Sequence, residues 1–376
     1  RNFGATLKAS GPVWRLPAGE VQLTGGLDFS RNDRYRAIFA IGYEDATTGE
    51  VRSPAGTAPS WDESARRRFV FDSWAAYAET TVPLISAAQD VPLVRSLEFM
   101  GSGRLDYTVR DGFATLTSAV IINGVPPRLV EYSHTTQLYA FGLKWQPVQG
   151  VALRVSRSIG FRPPTVDQVT PGALPDQTCC AIGGTPLDPV RNEGVALSPD
   201  MYLTGGNPDL RPESTHSTNL GLILTPARIP ALRLSVDYVE NIRDDAIFAF
   251  SSSQVGGASA AQVQDALSLE SEIPGLVIRG PADGHASGVG PVQFVDLRQR
   301  NLRRIASRSV DFSVGYRLGG MAGGDISVNA RASKNLSYKV QSSNTGPAEE
   351  QIRRRITTSG ASRQIEWNGN AQLRWD

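Results

Sequence analysis

Long stretches in which apolar or small residues alternate with polar ones recur along the whole chain. Clear examples are residues 20–29, 97–107, 232–239, 310–318 and 365–376, the last of which reads IEWNGNAQLRWD. A period of two residues places the two kinds of side chain on opposite faces of a β-strand. Several of these stretches exceed the usual strand length of about five or six residues. The sequence therefore predicts an all-β protein with about eleven long, two-faced strands.

The connections between these stretches alternate between short and long. Tight joints lie at residues 17–19, 149–150, 226–230 and 319–320, and long excursions at 44–65, 111–134, 161–213, 248–304 and 340–362. Outer-membrane barrels have short turns at one end and long loops at the other. A strand of about nine to eleven residues crosses the hydrocarbon, where unpaired backbone groups are not tolerated. We therefore predict an antiparallel up-and-down transmembrane β-barrel with short periplasmic turns and long extracellular loops.

Composition argues against several other classes of function. Lys and Arg number 38 and Asp and Glu 37, so the formal net charge of +1 does not suit a nucleic-acid-binding protein. The 3 histidines and 2 adjacent cysteines do not supply a zinc site. No phosphate-binding GxxxxGK[ST] loop is present. We therefore predict no enzyme activity, no cofactor, no resident metal and no catalytic residues.

Five short segments have more specific sequences than the alternating pattern requires. They are LPAG at 16–19, YAE with VPL at 77–84, WQP at 145–147, SIGFRPP at 158–164 and GNPDLRPE at 206–213. In this order they resemble the barrel motifs of TonB-dependent outer-membrane receptors. Residues 277–279 and 301–302, followed by 310–312, resemble a late loop and the following strand of the same family. We expect the Asn207–Pro208 turn to help tie a long loop to the barrel rim.

The resemblance implies that the chain is one part of a larger protein. Barrels of this family have about 22 strands around an N-terminal plug. Residues 1–376 would then be a fragment of the barrel domain, with the plug and the C-terminal closing strands outside this sequence.

The resemblance also implies a location, partners and a function. The location would be the outer membrane of a Gram-negative bacterium. The partners would be the lipid bilayer, a small-molecule ligand such as a metal chelate, and the inner-membrane TonB complex acting through the plug. The function would be energised uptake of a bulky, scarce nutrient, with a ferric siderophore first and cobalamin, haem or an oligosaccharide as other cargoes.

Two other functions remain open from the sequence. A passive outer-membrane porin would need neither a plug nor an energy source. A secreted, soluble β-rich adhesin or sugar-binding module would fold and stay dispersed without detergent.

Three sets of candidate functional residues follow from these predictions. The ligand-facing loop set is Arg162, Asp176, Cys179, Cys180, Asp188, Arg191, Asp200, Tyr202 and His285. The lumen-facing polar set is Arg104, Asp106, Arg154, Asp311, Arg317, Asn329 and Arg331. The aromatic girdle at the membrane interfaces is Trp145, Tyr238, Trp367 and Trp375.

Some details cannot be decided from the pattern. Cys179 and Cys180 could form a vicinal disulfide, stay free or bond elsewhere. Arg157 shares the parity of an apolar row and would point at lipid. The outward face of residues 74–79 is ambiguous. The sequence of residues 258–271 predicts a short helix that packs within its loop, with Ala261, Leu267 and Leu269 on its apolar face.

Overall fold

The computed structural model describes most of the chain, and the statements below concern the described residues. These are residues 2–37, 43–44, 51–52, 66–113, 129–169, 184–196, 201–203, 206–207, 209–248, 259–321, 324–341, 343, 346–352 and 364–375. Asp176, Cys179, Cys180 and Asp200 from the predicted loop set lie outside the described residues.

The described residues are dominated by β-strands. In chain order the strands are β1 (Asn2–Leu16), β2 (Gly19–Ala37), β3 (Tyr43–Glu44), β4 (Val51–Arg52), β5 (Arg66–Ile85), β6 (Ser96–Phe113), β7 (Leu129–Gln146), β8 (Val151–Arg162), β9 (Leu187–Asp188), β10 (Glu193–Gly194), β11 (Tyr202–Leu203), β12 (Glu213–Leu224), β13 (Leu232–Phe248), β14 (Val277–Arg279), β15 (Val292–Asp296), β16 (Arg300–Met321), β17 (Gly324–Gln341), β18 (Ala348–Glu350) and β19 (Trp367–Trp375). The helices are α1 (Val166–Val169), α2 (Ala260–Ser268) and a 3-10 turn at Ala87–Gln89. Neither α1 nor α2 is long and apolar enough to cross a membrane.

Eleven long strands form one antiparallel sheet, called the wall below. Its order is β1, β2, β5, β6, β7, β8, β12, β13, β16, β17 and β19, so each long strand pairs with the next one along the chain. The short strand β18 also pairs with β17, at its loop end. This arrangement confirms the predicted up-and-down, all-β fold and its strand number. The sheet does not close on itself within the described residues, and β1 and β19 are its edges.

The wall has one apolar face and one polar face, as the alternation predicts. Across β13 and β16, Val236 pairs with Phe312 and Asp237 with Asp311, so neighbouring rows face opposite sides. Val236, Phe312 and Val314 are 41%, 38% and 40% exposed. No second sheet or helix layer covers this row in the described part of the chain. The apolar face is therefore open to its surroundings, as it would be in lipid.

Strand register decides the face of residues 74–79. Trp74 pairs with Phe29 and Tyr107, which belong to the apolar face, and Tyr77 pairs with Gly26 and Arg104 on the polar face. Register also places Arg157 opposite Phe141, on the apolar face. The prediction that this charge points outward is confirmed.

Two long excursions fold together into a unit that we call the loop module, residues 184–196, 201–203 and 259–297. Its sheet pairs β11 with β15 in parallel and β15 with β14 in antiparallel orientation. Its core contains apolar side chains from both excursions: Tyr202, Val263, Ala266, Leu267, Ile273, Leu276, Val292, Val295 and Leu297. The two long loops are thus one packed body at the same end of the wall.

The predicted helix within the second excursion is α2. Ser259 caps it, because the Ser259 hydroxyl accepts from the Gln262 amide and the Gln262 side chain accepts from the Ser259 amide. The helix packs into the core of the loop module, as predicted. The predicted Leu267 is buried and Leu269 packs against the core, whereas the predicted Ala261 is exposed; Val263 and Ala266 complete the buried face.

Candidate ligand site at the loop end of the wall

Charged side chains on the polar face form ion pairs that cross from strand to strand. The Arg104 guanidinium contacts the carboxylate of Asp28 at 2.8 Å and that of Asp106 at 2.9 Å. It also lies 5.7 Å from the centre of the Tyr77 ring. Two of the predicted lumen residues, Arg104 and Asp106, therefore hold one another in place in the middle of the wall.

A second pair spans three strands because the middle strand has a glycine. Arg154 on β8, Gly221 on β12 and Asp237 on β13 lie in one row. The Arg154 guanidinium reaches Asp237 at 2.8 Å. A Cβ atom at position 221 would collide with both side chains, so the absence of a side chain there permits the contact.

All seven residues of the predicted lumen set lie on the polar face, as the strand registers show. Asp311 and Arg331 line a concavity of about 520 Å³ together with Arg154 and Asp237. Asn329 and Arg317 lie further toward the short turns, opposite Gly315 and Ser327. Contact of this set with a plug stays a prediction.

At the loop end of the polar face, Arg110 lies in a row with two aromatic residues. It pairs with Phe71 on β5 and with Tyr132 on β7. The guanidinium lies 4.8 Å from the centre of the Phe71 ring. Its Nε and Nη1 atoms and the Tyr132 hydroxyl are buried and have no hydrogen-bond partner in the described structure.

A second arginine at the same end of the wall has a similar environment. The Arg303 guanidinium lies 3.8 Å from the centre of the Phe248 ring, and its buried Nε has no partner among the described atoms. We call Phe71, Arg110, Tyr132, Phe248 and Arg303 the mouth cluster. The sequence pattern did not single out any of these residues as functional, and it placed Tyr132, Phe248 and Arg303 in long excursions. The structure extends the strands to include them, and a register shift after Arg243 precedes Phe248.

The GNPDLRPE segment joins the loops to the mouth cluster. Leu210 packs with Tyr132 and Val169, and Ile247 contacts this buried group. The Asn207 side chain donates to the Gln299 carbonyl at 3.1 Å, so it links the two long excursions. The segment therefore ties the loops to the rim, as predicted.

Glu213 completes this connection at the first residue of β12. Its carboxylate is buried, and it accepts from Arg162 at 2.9 Å and from the Ile247 amide at 2.8 Å. Arg243 lies 3.8 Å from its second oxygen. Arg162, predicted as ligand-facing, is thus anchored to the rim while most of its side chain stays exposed.

Two residues of the predicted loop set are buried in the loop module. Tyr202 is 1% exposed and belongs to the apolar core, so it offers no surface to a ligand. Asp188 is 2% exposed and accepts two hydrogen bonds from Arg279, at 2.6 and 2.9 Å. Arg279 also pairs with Glu270 at 2.6 Å. Both predicted residues therefore have structural positions in this fold.

Arg191 and His285 form a second polar link in the loop module. Arg191 contacts Asp283 at 2.9 Å and Glu193 at 3.2 Å. His285 Nε2 lies 3.2 Å from Glu193. Of the five described residues in the loop set, Asp188, Arg191 and Tyr202 are mostly enclosed, whereas His285 and Arg162 retain more solvent contact.

These ion pairs shift the acidity of the loop-module carboxyl groups. The hydrogen bond from Arg279 lowers the pKa of Asp188. The hydrogen bond from Arg191 lowers the pKa of Asp283 to about 2. Hydrogen bonds to Asp188 and Glu270 raise the pKa of Arg279 in return. The module is thus held together by charges that persist at neutral pH.

The predicted girdle residues occupy different levels of the wall. Trp145 lies at the short-turn end, where its Nε1 donates to the Leu93 carbonyl at 3.0 Å. Trp375 pairs with Ile326, close to the turn between β16 and β17. Tyr238 and Trp367 lie further along the wall, opposite Val310 and Lys334. The role of these four side chains at membrane interfaces stays a prediction.

The sequence pattern missed a continuous aromatic row on the apolar face. Phe3, Phe29, Trp74 and Tyr107 follow one another across four neighbouring strands, with ring centres 6.0, 5.4 and 5.8 Å apart. The row was missed because the outward face of residues 74–79 is ambiguous without the register. Among the described residues, no group of three His, Cys, Asp or Glu side chains is arranged to hold a metal ion.

A wall with one apolar face, one ion-paired polar face and long loops packed at one end has the architecture of part of an outer-membrane β-barrel. The sequence model described as "TonB dependent receptor-like, beta-barrel" matches residues 1–375, and the chain belongs to this family. The family comprises outer-membrane receptors that act as transporters rather than enzymes.

Solved structures that resemble the chain include three receptors. The alcaligin outer-membrane receptor FauA from Bordetella pertussis is 11% identical, with a TM-score of 0.45 over 93% of this chain and 40% of that one. The siderophore receptor PirA from Acinetobacter baumannii is 12% identical, with a TM-score of 0.44 over 100% of this chain and 48% of that one. The ferric-catecholate import receptor Fiu from E. coli K12 is 11% identical, with a TM-score of 0.47 over 90% of this chain and 38% of that one.

The chain thus spans less than half of each of these proteins. No curated protein sequence matches it.

Proposed function

We propose that this chain is about half of the barrel of a receptor that imports a bulky, scarce nutrient with energy from TonB. In the whole receptor, we propose that a plug domain and further strands complete the barrel. The observation that supports this proposal best is the continuous polar face, which runs from the Arg104 ion pairs to the mouth cluster beneath the packed loops. A ligand captured by the loops would meet this face on its way through the lumen.

We propose an anionic metal chelate, a ferric siderophore first, as the cargo. Support comes from charge: Arg110 and Arg303 in the mouth cluster each have at least one buried side-chain nitrogen atom that makes no hydrogen bond within the described structure. Neutral oligosaccharides would bind these arginines less strongly, because a hydrogen bond is strongest when both the donor and the acceptor are charged. Haem and cobalamin remain the cargoes to compare in the same assay.

Uptake by cells tests this proposal. A Gram-negative strain that makes no siderophore and lacks its own receptors would express the protein from its full coding sequence. Uptake of radioactive iron supplied as single siderophores should rise, and it should disappear when TonB is deleted. Uptake that persists without TonB, together with passage of small sugars into liposomes containing the protein, would instead establish a passive porin.

Solubility tests the second alternative. A soluble adhesin would remain dispersed without detergent, whereas the exposed apolar face of the wall predicts aggregation unless detergent or lipid covers it. The comparison requires only purification of the same protein with and without detergent. Monodisperse protein in plain buffer would contradict the membrane location.

A further inference from the structure

Arg110 is a buried cation without a described anion. The residue is 8% exposed, and its Nε and Nη1 atoms make no hydrogen bond within the described structure. Leaving a buried charged donor unpaired costs more free energy than leaving a neutral donor unpaired. The cation–π contact with the Phe71 ring offsets only part of this cost. Arg110 therefore retains a strong preference for an anion.

The described carboxylates on this part of the polar face already have partners. Asp28 and Asp106 both bind Arg104. Glu213 binds Arg162 and the Ile247 amide. The anion that would satisfy Arg110 must therefore come from outside the described residues.

The surroundings of Arg110 favour a carboxylate. A guanidinium offers parallel N–H donors that match the two oxygens of a carboxylate group. Tyr132, its neighbour in the row, has a buried hydroxyl that makes no hydrogen bond to any described residue and can donate to the same group. Leu210 and Val169 cover Tyr132 and reduce contact with water, which strengthens such bonds.

We propose that Arg110 and Tyr132 bind a carboxylate group at the loop end of the polar face. This inference rests on the proposed function, because it assigns the anionic part of the ligand to a defined place in the lumen. The carboxylate can have two sources: a soluble chelate that enters between the loops, or an acidic side chain of the protein segment that fills the lumen.

Arginine-specific modification tests this site without any transport. The receptor, made from its full coding sequence and purified in detergent, would be treated with phenylglyoxal in the presence or absence of citrate, a soluble tricarboxylate. Mass spectrometry would then follow Arg110, with Arg157 on the apolar face as the internal reference. Citrate at ten times its dissociation constant should slow modification of Arg110 by about tenfold and leave Arg157 unchanged.

Two variants distinguish the sources of the carboxylate. If an acidic side chain of the protein occupies the site, Arg110 is already protected from the reagent without citrate. In that case we expect Arg110→Met to lower the unfolding temperature more than Lys8→Met does. Lys8 is a suitable control because it is an exposed cation on the same face.

Either of two results would overturn the proposal. The first is modification of Arg110 at the same rate with and without citrate. The second is resistance of Arg110 to the reagent while Arg110→Met is as stable as Lys8→Met. Both results are obtained without measuring iron uptake. The proposed carboxylate site can therefore be contradicted while the proposed transport function holds, and the reverse.

Discussion

At the scale of single residues, Gly26 leaves space for a ring that supports the polar face. A Cβ atom at position 26 would overlap the Tyr77 ring, which lies beside Arg104. The neighbouring Gly25 faces the other side of the wall, and its nearest contact, the Tyr77 carbonyl, would be an ordinary 3.8 Å away. A side chain would therefore fit at position 25 but not at position 26, although the two glycines are adjacent in sequence.

We expect Gly26→Ala to destabilise the wall and Gly25→Ala to be tolerated. The first change forces the Tyr77 ring to move, and overpacking of this kind costs roughly 1–3 kcal/mol. The temperature at which the folded band disappears from heat-treated gel samples measures the difference. Equal stability of the two variants would show that Tyr77 does not occupy the space above Gly26.

At the scale of elements, the loop module depends on ion pairs between distant segments. Asp188 and Arg279 are 91 residues apart in sequence, yet they are joined by two hydrogen bonds. Removing Arg279 would leave the Asp188 carboxylate buried without its cation, which costs about 3–5 kcal/mol for a buried pair. The rigidity of both long loops therefore rests on a small number of charged contacts.

Acid should loosen the loop module before the wall. The pKa values of Asp188 and Asp283 are lowered from 3.8 in the folded protein, that of Asp283 to about 2. A depressed carboxyl pKa stabilises the fold fully above the unfolded value, and this contribution is lost as the pH falls through the folded value. Hydrogen-exchange protection of the module should therefore hold from about pH 7 to about pH 4 and decline between about pH 4 and about pH 2.

The variant Arg279→Met provides the control for this prediction. Because it removes the partner that lowers the pKa of Asp188, the module should be less protected at neutral pH and should change less on acidification. The strands of the wall serve as the reference within the same experiment. Protection of the module that is independent of pH in the parent protein would rule out the charge-based account.

At the scale of the whole molecule, the two faces of the wall should meet different solvents. Val314 is on the apolar face and Ser313 on the polar face of the same strand. A fluorescent label on Val314→Cys should be quenched by brominated lipid chains, whereas one on Ser313→Cys should respond to a water-soluble quencher. The receptor reconstituted in vesicles allows both measurements. The reverse pattern, or equal quenching by lipid, would contradict a membrane-spanning wall.

The sequence by itself determined the two-faced strands, their number and their order, because a period of two residues is a local property of the chain. It also identified the segment that holds the loops to the rim, since Asn207 and the buried Glu213 belong to one short motif. The polar set from Arg104 to Arg331 could be read from parity alone.

Only the tertiary structure decided which strands and loops meet. Residues 74–79 have small or apolar side chains at both parities, so pairing with β2 and β6 was needed to assign their faces. The burial of Tyr202, the Asp188–Arg279 pair and the burial of the Arg110 guanidinium depend on contacts between segments far apart in the chain. Such contacts leave no periodic trace in sequence, because what surrounds a side chain is set by the packing of the whole fold.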